Sequence, residues 1–417
     1  MSDILVIGGG AAGMMAAVFA ARAGGNVTLL EKNEKLGKKV YITGKGRCNL
    51  TNDCSLDEFL AQVPRNPRFL YSALSFFPPR DMMALLEQSG CPVTVQRGKR
   101  VFPSSEKASD VTKALASLLR SGNVRIRLNT EVRSLSFADG LVTGVVLSDG
   151  AKLSADAVII ACGGLSYPST GSTGDGYRLA ESAGHTLVPP QPVLVGLETV
   201  ETWPQSLQGL SLRNVTLTLS SGKKALWSEL GEMLFTHYGV SGPLVLEASC
   251  HLPDPAGGAR LLLDLKPGLS REQLDARLRR DFTEAGKKML KSVLPGLLPA
   301  SFAEIFPALC GLDASLPCSQ ITAAQRGILL DRLKALPLTV KAPRPVDEAV
   351  VTRGGVSVKE IEPKTMRSKL IPNLFFAGEM IDVDAHTGGF NLQIAWATGA
   401  LAGRSSVDCQ WQESRQS

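Results

Sequence analysis

Two stretches of this chain gather residue types that can do chemistry. The first is Gly8, Gly10 and Gly13, a G-x-G-x-x-G set behind the apolar run Ile4 to Ile7 and ahead of a run of small apolar residues. In such a set the first glycine permits a tight turn, the second lets backbone approach a pyrophosphate, and the third lets helix and strand pack closely. A helix starting there offers phosphates free N–H groups and about half a positive charge. Glu31, at the end of the next apolar run, is placed to accept hydrogen bonds from the ribose hydroxyls of an adenosine. The second stretch is ITGKGRCNLTN, residues 42–52, where Cys48 stands beside Arg47 and Lys45. A thiol next to cations can have its pKa lowered and serve as nucleophile or acid. Cys48 can equally be a small buried residue, with Arg47 and Asn49 the polar groups that matter, because free cysteine more often packs than reacts. A third reading makes the loop only a cofactor cradle.

A matching signal lies near the other end. NLFFAGE reads as a strand ended by Glu379, and HTGGFNLQIAWATGALAG sets Gly388, Gly389 and Asn391 at the start of a helix. A second helix N-terminus suits the pyrimidine edge of an isoalloxazine, which gains negative charge on reduction. This favours FAD over a cofactor limited to NAD. No further clean G-x-G-x-x-G is present for NADH or NADPH. His237 and Tyr238 stand together in the glycine-bounded GEMLFTHYGVSGP, open to a substrate or flavin contact or to a structural role, as is His386. The eight cysteines form no C-x-x-C and the four histidines show no metal-ligand spacing, so we expect free thiols, no metal and no redox-active disulfide.

The elements that must position these groups follow from periodicity. Residues 3–31 read strand, turn, helix, turn, strand, the opening of a parallel α/β sheet. Residues 55–120 look partly helical, with Ser109 or Asp110 as an N-cap. Residues 124–160 read as short strands turned at Asp139-Gly140 and Asp149-Gly150, and AVIIACGG as a return to the parallel sheet. From about residue 190 the texture changes: 193–265 alternate as antiparallel strands, 270–335 look helical and basic, and LPLTVKAPRP returns to strand. The expected organisation is an α/β, Rossmann-like FAD-binding domain built from residues 1–190 and 343–417, with a β-barrel and helical domain inserted at 191–342. The chain has 417 residues, 44% hydrophobic and 20% charged, with a net charge of +6, an ordinary globular composition. No apolar run approaches the roughly 20 residues a spanning helix needs, so no membrane partner is expected.

Taken together, VIGGGAAGMMAA, LLEKNEKLGKKVYITGKGRCNLTN, RVFPSSEKASDV, CGGLSYPSTGSTGDGYRLAESAGH, GEMLFTHYGVSGP and TRGGVSVKEIEPKTM…LFFAGEMIDVDAHTGGFNLQIAWATG resemble the two-dinucleotide-fold flavoproteins of the glutathione-reductase type. More closely, they resemble the BaiN/RdsA family of FAD-dependent oxidoreductases, in order and across nearly the whole chain. The resemblance implies that Gly8, Gly10, Ala12 and Gly13 line the pyrophosphate and that Glu31 and Lys32 meet the adenosine ribose. It implies that Lys38, Lys39, Arg47, Cys48 and Asn49 pass near phosphates or flavin, and that Val132 touches adenine with its backbone. Gly163, Gly378, Glu379, Gly389, Asn391 and Leu392 complete the cofactor set. Glu379 departs from the wider pattern, where an Asp commonly meets the ribityl chain.

The resemblance also implies a reaction: reduction of an activated C=C bond by hydride from flavin N5, with NADH or NADPH as donor. One branch of such enzymes acts on a uridine of the large ribosomal RNA, giving dihydrouridine; another acts on an unsaturated 3-oxo bile acid. The positive charge and the basic inserted domain favour the RNA partner, and the expected free thiols favour a cytoplasmic protein. A small-molecule enone reductase and a flavin-bound RNA-binding module with little turnover are the alternatives. Cys48 is the first candidate to protonate the product carbon, and His237 or Tyr238 the second.

Overall fold

The computed structural model describes residues 1–407; Cys409 and the end of the expected last segment lie outside them. The chain forms two compact units, Met1–Val193 together with the chain from Val346 onward, and Leu194–Pro345.

In the first unit, β1 (Asp3–Ile7), α1 (Ala11–Arg22) and β2 (Asn26–Leu30) open a parallel sheet. Both strands are buried beyond their first residue, as a sheet covered on both faces requires. β3 (Thr51–Asn52), β4 (Val93–Gln96) and β5 (Arg100–Pro103) make a small separate sheet in the order β3-β5-β4. α2 (Ala108–Ser121) leads to β6 (Arg125–Arg127). Its N-cap is Lys107, whereas Ser109 and Asp110 lie inside the first turn, where the Asp110 carboxylate accepts from Ser105 Oγ at 2.7 Å. The two alternative caps read from the sequence lie two and three residues past the true N-cap.

β7 (Val132–Ala138), β8 (Leu141–Leu147) and β9 (Lys152–Ser154) form an antiparallel meander. β10 (Ala157–Ile160), wholly buried, returns to the parallel sheet beside β1, and α3 (Asp175–Ser182) and β11 (Leu187–Val193) follow.

The second unit is a closed barrel of β12 (Leu197–Thr199), β13 (Ser211–Ser221), β14 (Lys224–Thr236), β15 (Gly239–Ser241), β16 (Arg260–Asp264) and β17 (Leu336–Pro343), in the order β12-β15-β14-β13-β16-β17. Leu217, Leu219, Phe235, Leu261 and Leu263 are fully buried in a core shared with helices that include α4 (Arg271–Ala285).

The chain then re-enters the first unit. β18 (Val351–Val356) pairs with β11, and β19 (Ile361–Glu362), β20 (Arg367–Ser368) and β21 (Leu374–Phe376) join the main sheet before α5 (Phe390–Ser405). The sheet order is β19-β20-β21-β10-β1-β2-β6, parallel from β21 to β6. The strand order reverses between β1 and β10, so the carboxyl ends of those two strands flank the crevice where such sheets bind ligands.

α5 lies directly on α1 because of its glycines. A Cβ on Gly399 would meet the backbone of Ala12, and one on Gly403 the backbone of Ala16. These two contacts set α1 and α5 side by side and pointing the same way, with the first turn of α5 about eight residues, or roughly 12 Å of helix, beyond the start of α1.

Candidate functional site

Neither of these two helices has a side-chain cap at its start. Gly10 is the N-cap of α1 and Gly389 the N-cap of α5. The first-turn amides, including Ala12 and Gly13 in α1 and Asn391 and Leu392 in α5, have no acceptor within their own helix. Space is open above Gly10, where an added Cβ would find nothing within 4 Å. Gly8 holds φ at +103°, and a Cβ there would lie 2.5 Å from Ala161 O at the end of β10. A Cβ on Gly13 would run into Gly8 O. Gly378 meets the same turn, since its Cβ would sit 2.7 Å from that of Ala12. These are the surroundings a pyrophosphate needs.

Glu31 is buried and fixed. One carboxylate oxygen accepts from Gly9 N at 2.7 Å, and the other from Asn33 N and Nδ2 at 2.8 and 2.7 Å. A carboxylate has about four acceptor sites, so about one is left for a ribose hydroxyl. Beside it lies a cavity of about 480 Å³ lined by Lys32, Asn33, Arg127, Thr130, Glu131 and Gly171, among others. Its polar lining next to the Gly8–Glu31 turn fits an adenosine, and Val132 follows at the start of β7. Lys32 pairs with Asp175 and donates to Thr173 Oγ1 at 2.5 Å. Lys38 turns to Asn33 and Glu34, at 3.3 and 3.1 Å. Gly163, in the loop after β10, leaves room for Ser172 Oγ, which would be 3.0 Å from its Cβ.

Glu379 sits just past β21 in a network that sequence reasoning did not find. It accepts from Lys39 Nζ at 2.6 Å, from Ser166 Oγ at 2.8 Å and from Thr352 N at 2.9 Å. Lys39 also donates to Ser166 Oγ at 2.6 Å. The longer side chain of a glutamate therefore reaches a lysine and a hydroxyl contributed by distant segments.

The opposite end is built on residues 42–52 and 384–391. With its amide oriented to satisfy its neighbours, Asn49 donates to Val101 O and Thr51 O and accepts from Gly389 N at 3.1 Å. Asn391 clamps its own loop, accepting from Ala385 N at 2.9 Å and donating to Ala385 O at 2.7 Å. Buried Asp384 accepts from Arg353 Nε and Nη2 at 3.0 and 2.8 Å, a bidentate pair also missed from sequence. No local pattern could have joined Arg353 to Asp384, because the pairing is set by how β18 meets the loop.

The expectation of a lowered Cys48 pKa is corrected. Cys48 is fully buried, and burial pushes its thiol up to about 12. Arg47 is engaged elsewhere, 3.1 Å from Glu106 and stacked 4.6 Å above the Phe102 ring. A sequence neighbour is not a spatial neighbour when the intervening backbone turns, and Cys48 itself holds φ at 58°. The seven described cysteines are all free.

His237 and Tyr238 belong to the second unit, in the two-residue turn between β14 and β15. His237 is exposed. Tyr238 is half-buried, its ring 5.0 Å from that of His237 and 4.7 Å under the Arg344 guanidinium. In the basic stretch at 271–291 the four arginines are paired with carboxylates. Arg271 pairs with Asp331, Arg277 with Asp281, Arg279 with Asp275, and Arg280 with Asp281. Residues 194–345 hold 17 Lys and Arg against 14 Asp and Glu, so this unit is not distinctively basic.

Among the described residues no helix is long and apolar enough to cross a membrane. Residues 2–405 match the family described as HI0933-like protein Rossmann domain. The chain is 34% identical to the 3-dehydro-bile acid delta(4,6)-reductase of Clostridium scindens, over 98% of this chain and 100% of that one. It is 32% identical to the ribosomal RNA dihydrouridine synthase of Haemophilus influenzae, over 95% and 96% of the two chains. The fold is shared with a flavocytochrome c3 fumarate reductase, at a TM-score of 0.53 and 17% identity, covering 97% of this chain and 78% of that one. It is shared too with a 3-ketosteroid-delta4-(5alpha)-dehydrogenase from Rhodococcus jostii RHA1, at a TM-score of 0.53 and 16% identity, covering 98% and 97%.

Proposed function

The chain belongs to the HI0933-like Rossmann-domain family of flavoprotein oxidoreductases, and from that premise we propose that it reduces a uridine of large-subunit (23S) ribosomal RNA to dihydrouridine. The observation that carries the flavin chemistry is the pair of glycine-capped helix starts, free of side-chain caps, that the packing of α1 on α5 offsets by roughly 12 Å along the helices, one for a pyrophosphate and one for a ring. Bound FAD would supply hydride to the electron-poor C6 of the uracil, with NADH or NADPH as the ultimate donor. The chain's own residues do the rest. The first turn of α1, with Gly8, Gly10, Ala12 and Gly13, holds the pyrophosphate, and Glu31 the adenosine ribose. Lys39 and Glu379 lie toward the ribityl chain, and the first turn of α5 favours negative charge on the ring.

The reaction also needs a proton at C5. Cys48, with its thiol pushed up to about 12, is a poor donor. His237 and Tyr238 are the other candidates for that proton. A cytoplasmic site of action goes with this reading.

The experiment is to incubate the FAD-loaded protein and NADH or NADPH with 23S ribosomal RNA from cells lacking the gene, then map dihydrouridine by mass spectrometry. One uridine gaining two hydrogens is expected; an unchanged map removes the RNA substrate. The 34% identity to a bile-acid reductase, end to end in that chain, supports a second reading. Under it, the same protein oxidises NADH or NADPH with a 3-oxo unsaturated bile acid and leaves RNA untouched. A flavin that NADH and NADPH both fail to bleach, with RNA present, would leave only a binding module.

A further inference from the structure

The basic side chains of this protein differ in whether a carboxylate partners them. Those along α4 are matched by carboxylates on the same or a neighbouring helix, as Arg279 with Asp275 at 2.7 Å. The hairpin joining β4 to β5 is different. Arg97, Lys99 and Arg100 are all exposed within four residues. Lys99 faces Glu58 at 2.8 Å, but among the described residues neither Arg97 nor Arg100 has a carboxylate partner. Arg100 Nε instead donates to Arg97 O at 3.2 Å, which braces the tip. Lys45, exposed on the neighbouring loop, has no carboxylate partner either. A guanidinium is a planar fork of donors suited to phosphate oxygens.

The position of the hairpin gives these charges a purpose. Asn52, buried in β3, donates to Gly98 O and to Gly388 O, both at 3.1 Å. One amide therefore holds the tip of the hairpin to the loop that opens α5. Arg47 joins the same small sheet through Phe102 of β5, and its partner Glu106 also accepts from Gln96 Nε2 at 3.0 Å. The basic tip is thus anchored from β3, from β5 and from residues 42–49, the segments that frame the flavin end of the cofactor site.

We propose that this hairpin is a phosphate-docking surface for the RNA strand that carries the substrate uridine. Arg97 and Arg100 take backbone phosphates, and the Asn52 link fixes the distance from that grip to the loop at Gly388. The proposal rests on the RNA reading above. It makes the hairpin a positioning device, which fixes register and carries no sequence information of its own.

The test measures binding of a fluorescein-labelled oligouridylate to the FAD-loaded protein across a range of salt concentrations. It compares the wild type, Arg97→Gln/Arg100→Gln and Arg279→Gln/Arg280→Gln. Each phosphate contact on a single strand contributes about 0.7 to the slope of log affinity against log salt, so the hairpin variant should lose about 1.4. The α4 variant should keep the wild-type slope. Flavin absorbance per protein reports that each variant is folded, and Arg97→Lys/Arg100→Lys should recover most of the slope. Salt-sensitive binding that is identical in wild type and hairpin variant overturns this proposal and leaves the RNA reading standing. A wild type with no salt-sensitive binding overturns both.

Discussion

At the scale of single residues, Cys48 takes the packed one of the readings its sequence left open and not the activated one. Two cations within three positions suggested an activated thiol, but the loop buries the sulfur and turns Arg47 onto Phe102. Desolvation then outweighs any cation nearby, because it disfavours the charged form directly. Cys48→Ala is accordingly expected to keep its FAD and to turn over within about twofold of wild type, since a packed thiol contributes volume rather than protons. A large loss of kcat with flavin retained would restore the acid role. The glycine fingerprint was legible because its logic is local, a turn and a close approach within six residues. The partners of Glu379 were not, since Lys39, Ser166 and Thr352 meet it from three other segments.

At the scale of elements, the sheet and the barrel could be read from apolar runs and alternation, while the contacts that set their geometry could not. The approach of α5 to α1 depends on Gly399, whose Cβ would strike the backbone of Ala12 in the cofactor turn. Gly399→Val should therefore push the helices apart at that turn. The purified variant is expected to lose most of its bound FAD, read as flavin absorbance per protein, and a full complement of flavin would argue against this coupling.

A second element contact is sensitive to pH. His185, beyond the end of α3, is buried, with Nε2 2.7 Å from Ser368 Oγ of β20 and Nδ1 3.2 Å from Glu360. Burial holds its pKa below the ordinary 6.5, against the pull of Glu360. As pH falls through 6.5 the unfolded chain takes the proton first, so this group's stabilisation is present above that pH and is lost below it. Thermal midpoints should drop on acidification more steeply in wild type than in His185→Gln. Parallel curves would discard the assignment.

At the scale of the whole molecule, charge is the property the sequence conveyed least well. The net value of +6 hides arginines matched along α4 and unmatched at the β4–β5 tip, a difference that exists only once helices and hairpins are packed. Stability in alkali is likewise a sum over the molecule. Cys48 and Cys310 are buried, and burial pushes both thiols from 9.0 up to about 12. Between those values the unfolded chain loses protons that the folded chain keeps, so stability should fall as pH rises past 9.0, by at most about 1.4 kcal/mol per pH unit for each thiol. The urea midpoint should decline more gently in Cys48→Ala/Cys310→Ala, and equal slopes would remove the thiols from the account. The placement of β21 beside β10 has a consequence in time. On the ribosome, β10 emerges before the whole of residues 194–345, and at about 5–20 residues per second its partner follows only after roughly ten seconds or more. For that interval the nascent sheet carries an open edge and α1 an uncovered face, and the α5 helix start is absent until near the end of synthesis.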